Sequence, residues 1–254
     1  MTLRMFGALL AALSTPFLSA TAHAAAAILI WPIDPVIESS ETATALWLEN
    51  RDSQPVYLQI RVLGWRQVNG EESYNSQTEV IPSPPMATIG PGKRQLVRLV
   101  KNSQVPPGQE RAYRILVDEV PQGQSPQTTG SLGLKFQMRY SVPLFVSGQG
   151  VWTKQDYENP RDYSKATQPA LAFRPISMQG KPGLLVRNQG IVHARISKVS
   201  LVSGSRRQTV NDGLLGYVLP GQEVRFPLTT ALGGGGQLEA TVNDNPQPVT
   251  ISRY

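Results

Sequence analysis

Apolar and polar residues take turns along most of this chain, and glycine or proline interrupts the alternation every few residues. A period of two is the period of a strand, whose successive side chains point to opposite faces. The longest regular run is SLGLKFQMRYSVPLFV (131–146), in which Leu132, Leu134, Phe136, Met138, Tyr140 and Val142 share one face, and Gly133, Lys135, Gln137, Arg139 and Ser141 share the other. The 22 Gly and 21 Pro, with Pro above its usual share of roughly 5%, argue for short elements and many turns and against long helices.

The same reading places extended segments at AILIWPIDPVIE (27–38), TATALWLEN (42–50), PVYLQIRVLGW (55–65), EVIPSPPMATIGPG (79–92), KRQLVRLVK (93–101) and RAYRILVDEVP (111–121). Pro32 and Pro35 confine the first of these to an edge or to a change of partner, because proline removes a ladder donor. PQGQSPQTTGS (121–131) is polar and breaker-rich and reads as a mobile loop. Seven strands at intervals of roughly 10–15 residues are the sequence picture of an immunoglobulin-like sandwich. A linker over 147–170 leads to a second set of strands at 171–178, 183–189, 192–203, 214–221, 223–228, 236–244 and 248–254. The expectation is an all-β chain of two immunoglobulin-like β-sandwich domains, 25–147 and a smaller 148–254, with no internal sequence repeat of 20–50 residues.

Residues 1–24 carry Arg4, an apolar run from Phe6 to Leu13, and an A-x-A pattern at Ala22 and Ala24. This is the pattern of a secretory signal peptide, and the run is shorter than the roughly 20 residues a membrane span needs. An exported protein with no membrane insertion is expected. With no cysteine, thiolate nucleophiles, disulfides and Cys-bound metals are excluded. Removal of the leader takes His23 and leaves His193 as the one imidazole, too few for a His-rich metal site. No GxSxG, P-loop, HExxH or GxGxxG signature is present, and Asp118 and Glu119, adjacent on a strand, point to opposite faces. No enzyme activity and no cofactor or metal are expected. The net charge of +6 is scattered, without the run of five or six basic residues that would mark a nucleic-acid patch.

The segment 131–146 therefore carries the functional argument. A strand of this kind normally buries its apolar face in its own domain. Following a mobile loop and preceding the second domain, it reads instead as a sheet edge facing an interdomain cleft. An edge strand is a template for strand addition, and its apolar row would fill an incomplete partner. The same edge predicts self-association of the free chain.

LIWPIDPVIE, ALWLEN, IPSPPMATIGPGKRQLVRL, YRILVDEVP and FQMRYSVPLF, in this order and spacing, resemble the periplasmic pilus-assembly chaperones of the PapD-like superfamily. The likeness is to the archaic chaperone–usher branch, whose pilins have spore-coat-protein-U-like domains. It is strong over 27–146 and weak over 170–254. The resemblance implies a boomerang of two immunoglobulin-like domains that lends a pilus subunit its missing strand in the periplasm and delivers it to an outer-membrane usher, without ATP or cofactor. Leu134, Phe136 and Met138 would be the donor residues, extended at the ends by Leu132 and Tyr140.

The better-known members hold the pilin's C-terminal carboxylate with an Arg on the first strand and a Lys on the last strand of domain one. Here those positions fall at Asp34 or Pro35 and at Pro143, none of them basic. A buried carboxylate still needs a cation, and Arg114, within the apolar run YRILV, is the first candidate, with Arg139 second. Arg98 falls where the family has a buried interdomain salt bridge, with Glu119 or Asp118 of the neighbouring strand, or a carboxylate of domain two, as its expected partner. A second class of function, an exported carbohydrate- or surface-polymer-binding module, would draw on Trp31, Trp47, Trp65 and Trp152.

Overall fold

The computed structural model describes residues 28–121, 137–156, 159–243 and 245–254. Strands β1 (Ile28–Trp31), β3 (Ala43–Asn50), β8 (Arg94–Lys101) and β6 (Val80–Ser83) form one sheet in the order β1-β3-β8-β6. Facing it, β2 (Val36–Ile37), β10 (Arg139–Ser147), β9 (Glu110–Glu119), β4 (Val56–Val68) and β5 (Glu71–Asn75) lie in that order, with β7 (Met86–Ile89) also on β4. Alternation decides which face turns inward. Leu46 and Leu48, Ile60, Val97 and Leu99, Ile115 and Val117, and Leu144 are all sealed between the sheets. Their burial supplies the hydrophobic term that holds the sandwich together.

The second half folds into its own layers. β13 (Ala194–Ser203), β14 (Arg206–Val218) and β16 (Gln237–Val242) make one, and β11 (Leu171–Met178), β12 (Lys181–Asn188) and β15 (Glu223–Pro227) the other. β17 (Val249–Arg253) runs antiparallel to β16 at Val249–Ile251 and parallel to β11 at Ser252 and Arg253, so it stitches the two layers. Phe173, Leu184, Val186, Ile196, Leu201, Val242 and Ile251 fill the core. Between the halves, a stretch with a short 3-10 turn at Tyr163–Lys165 folds back on the first one, where Arg161 pairs with Glu38 and Lys154 with Asp34. Among the described residues no helix is long and apolar enough to cross a membrane.

Where no repeat of 20–50 residues is expected, the structure shows a likeness at much longer range. Asn50 at the end of β3 and Asn188 at the end of β12 are both fully buried and make the same bonds. The Asn50 amide donates to Gln54 O (2.7 Å) and Ile89 O (2.9 Å), and the Asn188 amide to Val192 O (2.8 Å) and Val218 O (3.0 Å). Each side-chain oxygen accepts from the backbone two residues on, Asp52 N and Gly190 N. The acceptor strands then turn through IGPGK (89–93) and VLPGQ (218–222), where Gly92 and Gly221 take positive φ (64° and 71°) that glycine tolerates without strain. One sandwich thus echoes the other through LWLEN…IGPGK and LLVRN…VLPGQ, separated by more than a hundred residues. We expect Asn188→Ala to strand the Val192 and Val218 carbonyls and the Gly190 N–H, lowering stability by about 2–3 kcal/mol in denaturant unfolding. An unchanged midpoint would show that the corner is not structural.

Candidate functional site

The outer face of the β10-β9-β4 sheet is set by register. Leu63, Arg114 and Pro143 stand in one row, Arg61, Leu116 and Ser141 in the next, and Gln59, Asp118 and Arg139 in the third. Below Arg114 this face is covered by the second half. Trp65, Phe145 and Leu219 form a buried cluster with Val36, Ala112 and Tyr217 against it. The Phe145 and His193 rings stack at 3.4 Å, 1° from parallel. Gln67, on the same face as Trp65, reads backbone groups of the other half as a strand would: its amide donates to Tyr217 O (2.9 Å) and its oxygen accepts from Leu219 N (2.8 Å). Glu110, its side chain fully buried, accepts from His193 N (2.7 Å) and meets His193 Nδ1 at 2.9 Å.

Arg114 sits where the covered part of this face ends. It is 9% exposed, its guanidinium lies 3.8 Å from the Trp65 ring centroid and 5.5 Å from that of Tyr217, and its Nη2 donates to Glu72 Oε1 at 3.2 Å. Its Nε is buried without a partner. A cation held between two rings keeps its orientation, while burial makes an unpaired charge costly, so the position favours an anion. Burial pushes the Tyr217 hydroxyl up; nearby Arg195 and Arg114 pull against the rise and Asp34 adds to it. Pro143 stands directly opposite Arg114 in the ladder.

β10 supplies the second feature. It pairs with β2 only at Phe145 and Val146, so from Arg139 to Leu144 its other side faces no strand among the described residues. Its inner row is closed in the core at Val146, Leu144 and Val142. Going up the strand, Tyr140 is half-buried, its hydroxyl accepting from Ile28 N (3.1 Å), and Met138 is 40% exposed. The apolar row leaves its own sandwich at this point. Leu132, Leu134 and Phe136 lie outside the described residues, as do the expected leader 1–24 and most of the expected loop 121–131.

Arg139 is exposed and already bonded to Asp118, which also accepts from Arg61 at 2.6 Å. Burial works to raise the Asp118 carboxyl, but the two arginines outweigh it and hold it below the usual range. Arg139 lies two rows above Arg114 and does not share its cleft. The expected pair of Arg98 with Glu119 does not form. Val97 and Leu99 take the core side of β8, so Arg98 between them must face solvent, and Glu119 belongs to the opposite sheet, where its carboxylate lies 3.5 Å from Met138 N. The buried ionisable contact between the halves is Glu110 with His193 instead. His193 was legible only as an alternating strand residue, because nothing local in GIVHARISKV names a partner 83 positions away. Trp65 is buried, Trp31 stacks on Trp47 with Arg94 over its ring, and Arg161 lies over Trp152, so each of the four tryptophans already packs within the chain.

The profile of the pili and flagellar-assembly chaperones, PapD N-terminal domain, matches residues 35–151. Among solved structures, the chaperone–tip adhesion subunit pre-assembly complex CsuC–CsuE, from the archaic chaperone–usher Csu pili of Acinetobacter baumannii, matches with 32% identity and a TM-score of 0.71. The match covers 90% of this chain and 99% of that one. The chain belongs to the pilus-assembly chaperones. The Escherichia coli chaperone DraB (16% identity, TM-score 0.59, 90% of this chain and 96% of that one) shares the fold with this chaperone. So does the Salmonella enterica structure of the SafA pilin with the SafB chaperone (15%, 0.57, 89% and 94%). Among curated proteins nothing matches. In the chaperone, Lys154 bonds Asp34, and Arg114 faces Pro143 across the ladder.

Proposed function

We propose that this chaperone captures pilus subunits in the periplasm by lending them the strand that begins at Leu132, and passes them to an outer-membrane usher. Leu132, Leu134, Phe136, Met138 and Tyr140 fill the subunit's open groove, and Arg114 receives its C-terminal carboxylate. Residues 1–24 are the export signal, 25–147 the subunit-binding domain and 148–254 the smaller domain that walls the cleft. No catalysis and no cofactor take part. The reading rests above all on β10: an open edge whose apolar row leaves its own core at Met138, five residues before the Pro143 that faces a buried arginine. The same edge is where the free chain would pair with a second copy.

Co-expression in a periplasm with a candidate pilin, followed by pull-down, tests this. Arg114→Ala is expected to cut capture at least tenfold, since a charge-assisted bond to a desolvated carboxylate contributes about 1.5–3 kcal/mol. Arg114→Lys restores little, because the ring-stacked planar fork is lost. Arg139→Ala, at an exposed site already paired with Asp118, is expected to change capture less than twofold. Equal losses from Arg114→Ala and Arg139→Ala would argue against Arg114 as the anchor.

A further inference from the structure

The carboxylate already on Arg114 comes from the chaperone itself. Glu72 lies on β5, the exposed outer strand of the β4–β5 hairpin, and stands opposite Gln67 in the ladder. Its Oε1 accepts from Arg114 Nη2 at 3.2 Å and its Oε2 accepts from the Tyr74 hydroxyl. We propose that Glu72 is a placeholder: it covers Arg114 in the free chaperone and gives way to the terminal carboxylate of an arriving subunit. This rests on the reading of Arg114 as the anchor.

Three observations support a placeholder over a permanent partner. First, the guanidinium does not need Glu72 for its position, because Trp65 and Tyr217 already hold it. Second, the Glu72 side chain is 45% exposed against 11% for Arg114, so water screens the pair and can rehydrate the carboxylate as it leaves. Third, Glu72 keeps the Tyr74 hydroxyl as a partner after it releases Arg114. The hairpin need not move. Its tip is tied to the second domain, where Arg225 Nη1 donates to Asn69 O (2.8 Å), and its base is laddered to β4. A side-chain rotation about Glu72 is enough. The Arg114 Nε, buried and without a partner, is a donor that Glu72 leaves unused.

Acetate, the smallest carboxylate, is the probe. Titrating it into the 15N-labelled full-length chaperone, with the Arg114 Nε–H resonance as readout, measures access to the anchor directly. Glu72→Gln is expected to bind acetate about three- to fivefold more tightly at Arg114 than the natural chain, the weight of a screened pair. Read at the Trp65 indole N–H, which both variants keep beside the site, the double variant Glu72→Gln/Arg114→Ala should lose the site-specific response. Equal acetate affinity in the natural chain and Glu72→Gln would overturn the placeholder while leaving the anchor in place. If acetate binding rises in Glu72→Gln but pilin capture ignores Arg114→Ala, the anchor reading fails, and the displacement by a subunit fails with it.

Discussion

A chaperone carrying Leu134→Asp and Phe136→Asp is expected to recover no pilin from the periplasm while folding as stably as the natural chain. Each large side chain moved from water into a subunit's groove contributes about 1.5–3 kcal/mol, so losing two weakens the complex by at least about a hundredfold. Burying two carboxylates in that groove adds further cost. Folding should be spared because the inner row of β10 meets the chaperone's own core from Tyr140 onward, at Tyr140, Val142, Leu144 and Val146. Thermal unfolding of the purified variant and pilin pull-down check the two halves separately. A large drop in thermal midpoint would place these side chains in the chaperone's own core.

Glu110→Ala is expected to be the most damaging single change at the contact between the domains. It removes a fully buried carboxylate, abandons the His193 N–H that Glu110 accepts at 2.7 Å, and leaves the ring stacked on Phe145 without its polar partner. Removing one member of a buried pair costs about 3–5 kcal/mol, which for a chain of this size lowers the midpoint by on the order of 10 °C. Cleavage within 148–170 by a protease should quicken as the second domain loosens. Glu110→Gln, which keeps an acceptor for the His193 N–H, should lose less than half as much. Equal stability of Glu110→Ala and the natural chain would show that the Trp65–Phe145–Leu219 cluster alone fixes the interface.

The sandwiches were legible because alternation is a local signal: Val97 and Leu99, or Ile115 and Val117, name the core face without knowledge of the partner strand. Arg114 was legible for a related reason, as a charge inside an apolar run. The same parity argues against Arg98, which stands between two core residues and so projects to solvent. Glu72, Gln67, Tyr217 and Glu110 were not legible, because each acquires its role from a residue on another strand or the other domain. The duplicated asparagine corner is not legible in the sequence, because its two halves are held apart by a spacing that short-period repeats do not reach, and its likeness resides in which carbonyls the amide meets.

The most direct measurement is photocrosslinking from a light-activated phenylalanine analogue at position 134, made in periplasm that contains the pilin. Side chains that complete a neighbour's sandwich will attach to the pilin, and adding the wild-type chaperone as competitor will suppress the product. Crosslinks confined to the chaperone's own strands, with the pilin present and folded, would contradict the account.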